Sequence, residues 1–436
     1  MVRKSYVSTR NACKLCSPLG ACMVMRGIEG CIPLIHGSQG CATYIRRYGI
    51  SHFREPIDIA SSNFVEATAI FGGRENLFRA IDNVTRQYQP TAIGITSTCL
   101  SETIGDNVPM YLHEYKTARP NQNQPNNQPA PIIFYASTPS YRGTHVDGYH
   151  EAINAVVRAV AGNFDGEFPA SAKRVNLITG FVSAADLREL HEVLLSYRIP
   201  YTLLPDYSET LDGVAWEDYQ KLPEGGTPIK NIAAMSNAIG TIYLGQNCDN
   251  NKNAAAYLRD QFDIPFANIN FPIGIENTDR FFETINAMTG QKTPARWEYE
   301  RGRVIDAYFD GHKYCSRKRA VLYGDIDFVN AIKGFIEEIG VIPVITADGA
   351  DTDFASILES AKELKPDFVI GNSKGFYVAR ELKVPLVRCG FPIHDRIGGH
   401  RILHVGYRGT LNLFELICNA LMEANQNAST SGWTYI

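Results

Sequence analysis

Three thiols and one hydroxyl stand in loop-forming runs whose residue types could gather round a metal group. Cys16 lies in Cys16-Ser17-Pro18-Leu19-Gly20, Cys41 in His36-Gly37-Ser38-Gln39-Gly40-Cys41, and Cys99 in Ser97-Thr98-Cys99-Leu100-Ser101-Glu102. Each cysteine is expected where a strand runs out into a Gly- or Ser-rich loop, and Ser140 in Thr138-Pro139-Ser140-Tyr141 follows the expected strand Ile132–Tyr135. Groups at the carboxyl ends of neighbouring parallel strands converge on one crevice, where open α/β sheets place their ligands. Thiolates gathered there without zinc-finger spacing point to an iron–sulfur cluster, with Cys16, Cys41, Cys99 and Ser140 as candidate metal ligands.

The run from His36 to Cys41 is the sharpest of these. Two glycines let the backbone pass close to a bulky object and present N–H groups at the start of a helix expected over Ala42–Tyr48. Those amides and the helix dipole favour the thiolate of Cys41. Cys99 has the same setting, with Ser101 and Glu102 expected to cap the following helix. Thr-Pro-Ser at Ser140 is also ordinary turn chemistry.

Other motifs carry less. Cys13 and Cys16 form a C-x-x-C pair, but structural zinc needs a second pair and none follows. Cys248, Cys315, Cys389 and Cys418 are scattered and read as small buried hydrophobes. Gly371-Asn372-Ser373-Lys374-Gly375 could cradle an anion, yet lacks the dinucleotide fingerprint, and a plain turn is preferred. His394, His400 and His404 share one C-terminal loop, where each reads as a satisfied or surface histidine. No G-x-x-x-x-G-K-[ST] loop occurs, so no nucleoside triphosphate site is expected.

The elements that must position these residues recur regularly. Short β-branched runs alternate with longer amphipathic stretches, the signature of βαβ units. Expected strands are Cys31–Ile35, Thr91–Thr96, Ile132–Tyr135, Val175–Gly180, Tyr201–Leu204, Thr241–Gly245, Arg319–Tyr323, Val341–Thr346, Phe368–Ile370 and Leu386–Arg388. Expected helices include Glu75–Tyr88, His150–Ala161, Ala184–Tyr197, Asn251–Gln261, Glu276–Met288, Ile326–Ile339 and Phe354–Leu364, while Thr117–Ala130 reads as an exposed loop. The fold class is therefore α/β, with three Rossmann-like doubly wound modules and mostly parallel sheets. The expected boundaries are 1–170 for a cluster-binding module, 171–300 for a second, and 301–436 for a third with a C-terminal helix.

The 436 residues carry a net charge of −4, so no basic stripe exists to neutralise nucleic-acid phosphates. No apolar run approaches the roughly 20 residues that would cross a bilayer. The start Met1-Val2-Arg3-Lys4-Ser5-Tyr6 leads to no apolar h-region, so a cytoplasmic protein with reduced thiols is expected.

The ordered motifs resemble the β-type subunit of the nitrogenase component 1 superfamily over nearly the whole chain. Beyond those above they include Gly30-Cys31-Ile32-Pro33, His52-Phe53-Arg54-Glu55-Pro56, Phe71-Gly72-Gly73, Thr103-Ile104-Gly105-Asp106, Asp367-Phe368-Val369-Ile370 and Gly390-Phe391-Pro392-Ile393-His394-Asp395-Arg396. The resemblance implies that Cys16, Cys41 and Cys99 ligate a P-cluster ([8Fe-7S]) shared with an α-type partner in an α2β2 heterotetramer. Ser140 would be an additional, redox-dependent ligand. It also implies an oxidoreductase subunit that relays electrons from an ATP-hydrolysing iron protein to a catalytic cluster in the α-type subunit. Dinitrogen or small thioethers would be the substrate.

Only fifteen residues precede Cys16, and the stretch from Pro392 to Tyr407 looks like shorter relatives. Those include methylthio-alkane reductases and cofactor-assembly scaffolds, so a scaffold for maturing an iron–sulfur cofactor is the alternative. The glutamate matching Glu55 contributes to a metal site between subunits in the molybdenum enzymes. Here a salt bridge from Arg54 to a neighbouring carboxylate is expected instead.

Overall fold

The structure, a computed structural model, describes residues 14–118, 129–163, 173–218, 220–245, 253–348 and 353–430. Cys13, Cys248, most of the loop expected at Thr117–Ala130 and the start of the helix expected at Asn251–Gln261 lie outside them.

Twelve strands form three sheets of four among the described residues. The first holds β1 (Cys31–His36), β2 (Ala60–Ser61), β3 (Ala92–Ser97) and β4 (Ile132–Ala136) in the spatial order β2-β1-β3-β4. The second holds β5 (Val175–Ile178), β6 (Tyr201–Leu204), β7 (Gly240–Leu244) and β8 (Phe266–Ile269) in the order β6-β5-β7-β8. The third holds β9 (Arg319–Tyr323), β10 (Ile342–Ala347), β11 (Phe368–Gly371) and β12 (Leu386–Arg388) in the order β10-β9-β11-β12. Each sheet repeats one topology, with its first strand between its second and third. Every strand pairing among them is parallel. The α/β class with three doubly wound units is thus observed.

The composition of the strands explains their place. β1 and β3 are buried at every residue, as parallel strands covered on both faces must be. One face of the first sheet meets the helix Arg74–Tyr88, whose Leu77, Ile81 and Val84 pack on Ile32, Leu34, Ile93 and Ile95. Each such side chain, fully buried, contributes roughly 1.5–3 kcal/mol. The opposite face belongs to a core that runs on through the second and third sheets. Several elements are not legible from pattern, among them the two-residue β2 and the helices Ser17–Arg26 and Val108–Ala118. β8 is a half-buried edge strand without apolar alternation, and the helix Ala295–Cys315 is largely exposed with four fully buried positions. That helix crosses residue 300 and lies along the C-terminal helix Gly406–Ala428, where Gly311 admits Phe414.

The helix Ser17–Arg26 is buried at all ten residues and crosses the helix His145–Val160. A Cβ on Gly20 would stand 1.8 Å from the carbonyl oxygen of His145, and one on Gly148 would stand 1.9 Å from that of Ser17. The two backbones therefore touch at glycines, and this crossing fixes where Cys16 sits.

Candidate functional site

Register brings the site together. In the first sheet His36 pairs with Ser97 and Thr96 with Ala136, so β1, β3 and β4 end level with one another. Gly37 follows β1 and lies against Thr98, which would stand 2.5 Å from an added Cβ. Gly37 is therefore required by the neighbouring loop, while Gly40 faces open space, with only Ser38 Oγ within 4 Å of its added Cβ.

Cys41 lies in the first turn of the helix Gln39–Phe53, where the Ser38 hydroxyl donates to its sulfur at 3.6 Å. This helix starts three residues before the expected Ala42. Cys99 opens the short helix Cys99–Thr103 and is exposed. The cap of that helix is Thr98, whose hydroxyl accepts from Ser101 N while Ser101 Oγ accepts from Thr98 N at 2.9 Å. Glu102 does not cap it, contrary to expectation.

Ser140 sits between the other ligand candidates. Its amide donates to Cys99 Sγ at 3.2 Å, and its hydroxyl oxygen accepts from Ser17 N at 3.1 Å. Cys16, the residue before the helix Ser17–Arg26, is also hydrogen-bonded to Ser140. Burial pushes the Cys16 thiol up, and nearby Cys99 and Cys41 push it the same way, against the Ser140 hydrogen bond and Lys14. All four residues singled out in the sequence are therefore neighbours. Among the described residues no strand precedes Cys16. It arrives at the carboxyl edge through the glycine crossing of two helices, not through the sheet.

Behind these loops a buried layer holds the backbone. His36 sits on Ser62 Oγ at 3.1 Å and Asp106 Oδ2 at 3.0 Å, with the edge of Phe64 against its ring. Partial burial would raise the Asp106 carboxyl, but hydrogen bonds from His36, the Gly73 amide and Tyr111 hold it below the usual carboxylate range. Gly73 has room for nothing larger, since Phe64 would stand 2.5 Å from its Cβ.

The remaining candidates are structural. His400 reaches Asp212 at 3.1 Å and His404 reaches Asp186 at 2.8 Å, both buried, and His394 packs edge-on against Tyr48. In Gly371-Asn372-Ser373-Lys374-Gly375 the amides are used internally: Lys374 N donates to Asn372 Oδ1 and Gly375 N to Tyr323 OH. Arg54 makes no salt bridge among the described residues. It takes a left-handed conformation at the end of the helix Gln39–Phe53 and donates to the His394 carbonyl at 3.4 Å. A partner carboxylate cannot be read from sequence when the chain turns at the arginine itself.

Among the described residues no three His, Cys, Asp or Glu side chains close round a single metal ion. The donor set is instead three soft thiols and one hydroxyl on an open rim, suited to a multinuclear sulfide cluster completed by ligands from elsewhere.

The nitrogenase component 1 type oxidoreductase family model matches residues 16–422. The chain is 34% identical over 445 residues to the nitrogenase molybdenum-iron protein beta chain of Clostridium pasteurianum, covering 96% of this chain and 94% of that protein. It is also 34% identical to the nitrogenase vanadium-iron protein beta chain of Trichormus variabilis, over 96% of this chain and 95% of that one. A chain of the solved structure "Nitrogenase Cp1 at pH 6.5" superposes with a TM-score of 0.93 at 32% identity, covering 100% of this chain and 98% of that chain.

Proposed function

This chain belongs to the nitrogenase component 1 type oxidoreductases as a β-type subunit, and from that premise we propose that it is the electron-relay subunit of a nitrogenase-like reductase. The observation that carries the proposal is the meeting of Cys16, Cys41, Cys99 and Ser140 at one open edge of the first sheet. They are the ligands we assign to a P-cluster-type group. When bound, such a cluster takes up and gives back electrons one at a time.

Each residue has a part in that reading. Cys16, Cys41 and Cys99 supply thiolates from three separate loops. Ser140 N–H donates to the Cys99 sulfur, a contact of the kind that tunes a cluster's potential. The Ser140 hydroxyl, bonded to Ser17 N, is positioned as a hard oxygen donor. Three thiolates do not complete an eight-iron cluster, so the rest come from an α-type partner covering exposed Cys99, in an α2β2 assembly. That partner would carry the catalytic cluster.

The apolar surface near this edge suits a second partner. Phe71 is 86% exposed and Ile70 75%, on a short helix leading to the Gly72-Gly73 turn that abuts Asp106. We assign it to an ATP-hydrolysing iron protein in the cytoplasm, which would supply the nucleotide chemistry. No helix among the described residues is long and apolar enough to cross a membrane.

The test is to purify the α/β complex, measure iron and EPR spectra, and assay it with the iron protein and MgATP against dinitrogen, acetylene and small thioethers. Turnover requiring all components is expected. Iron retention with no turnover of any substrate would overturn the relay and favour a cofactor-maturation scaffold.

A further inference from the structure

Glu102, in place of capping a helix, anchors the ends of two strands. Its Oε1 accepts hydroxyl hydrogen bonds from Ser97 at 2.5 Å, Ser137 at 2.6 Å and Tyr135 at 3.1 Å. Ser97 ends β3, while Tyr135 and Ser137 lie at the end of β4. Three donors on one carboxylate oxygen are more than a helix cap or a surface glutamate needs.

The network continues toward the site. Ser97 Oγ, while donating to Glu102, accepts from Thr138 N at 2.9 Å, and Thr138 Oγ1 donates to Ser97 O at 3.0 Å. Two residues on, Ser140 N donates to Cys99 Sγ. Glu102 itself lies three residues after Cys99 on the same short helix. One carboxylate thus ties the helix bearing Cys99 to the loop bearing Ser140. Partial burial would raise its carboxyl, but the hydroxyls of Ser137, Ser97 and Tyr135 and the charge of Arg142 hold it below the usual range.

We infer that Glu102 is a positioning residue for the electron relay: it fixes the Ser140 N–H against the Cys99 sulfur and places a permanent negative charge beside the cluster. This rests on the relay reading above. A fixed anion near a redox group disfavours its reduced form, and N–H donation to a ligand sulfur acts in the opposite direction. A residue of purely structural role would change stability and leave the potential alone.

The experiment is an EPR-monitored redox titration of the α/β complex, with iron content measured on each sample. Glu102→Gln should retain iron and shift the midpoint potential of the cluster to more positive values. Glu102→Asp, which keeps the charge but draws it back from the three hydroxyls, should loosen the Ser140 N–H contact and shift the midpoint to more negative values. If Glu102→Gln fails to assemble, Ser137→Ala keeps the charge and removes one donor that spreads it, and the midpoint should move the other way. A loaded Glu102→Gln complex with the native midpoint, or in its absence a Ser137→Ala complex with the native midpoint, would overturn the inference while the relay reading stands. A native complex devoid of cluster would overturn both.

Discussion

The carboxyl edges of the first and third sheets are built on the same strand order, yet only the first presents cysteines on an open rim. At the first, Cys99 is exposed, Cys41 and Cys16 are half-buried, and the sulfurs of Cys41 and Cys99 receive hydrogen bonds from a hydroxyl and an amide without being enclosed. At the third, Cys389 is 1% exposed with its thiol pushed far up by burial, and the amides after β11 are consumed by Asn372 and Tyr323. The loop beyond β12 then spends His404 on Asp186, and His400 on Asp212 and the His52 backbone. Topology repeats the strand order; the side chains at each carboxyl edge decide which donors it presents.

The largest effect that tests this contrast is a reciprocal pair of cysteine changes. Cys99→Ala or Cys41→Ala should remove iron and reductase activity almost entirely while leaving chain stability within about 0.5 kcal/mol, as for exposed sites. Cys389→Ala should do the reverse, keeping iron and activity but costing about 1 kcal/mol in denaturant unfolding. Iron loss from the Cys389 variant would break the comparison.

Next in size is the buried pair that closes the third edge. Burial alone would raise the Asp186 carboxyl, but His404 and the His404 and Ser183 amides hold it below the usual range. Its folded value lies below the unfolded one, so its stabilisation is present above about pH 4 and is lost as pH falls through the folded value. Asp186→Asn should cost about 3 kcal/mol at neutral pH and flatten that acid limb. An unchanged acid limb in the variant would remove Asp186 from the account.

At the first edge, Gly20→Ala should cost about 3 kcal/mol, the upper range for overpacking, because the new methyl meets the His145 carbonyl. Iron content should fall with it, since the crossing seats Cys16. Retained iron in a destabilised variant would show that Cys16 reaches the rim some other way.

The smallest effect concerns His145, between Phe181 and Phe391, whose ring nitrogens lack hydrogen-bond partners. Burial lowers its pKa to about 3. The unfolded chain therefore binds the extra proton below about pH 6.5, and stability falls as pH drops from there toward pH 3. His145→Phe should gain about 1 kcal/mol at pH 8 and more at pH 5. An equal gain at both pH values would refute the titration.

Much of the candidate site is legible in the order of the residues. Cys41, Cys99 and Ser140 each follow a β-branched run within a few residues, and strands of a parallel sheet deliver such loops to one edge. Cys16 is legible as a residue type but not as a position. Glu102 reads as a helix cap because sequence spacing cannot distinguish a carboxylate turned to its own helix from one turned to the next strand. Arg54 reads as half of an ion pair for the same reason, although its partner is a backbone carbonyl.

The sequence by itself determined most strands and helices of the three α/β repeats, since apolar periodicity marks the segments that bury one face, although β8 and the helix Ala295–Cys315 carry no such mark. It also determined which residues could ligate metal, because that depends on side-chain chemistry alone. Only the tertiary structure decided that Gly20 and Gly148 bring Cys16 to the rim, that one oxygen of Glu102 gathers three hydroxyls, and that His400 and His404 are held by carboxylates. Those outcomes depend on contacts between residues far apart in the chain, whose distances no local pattern records.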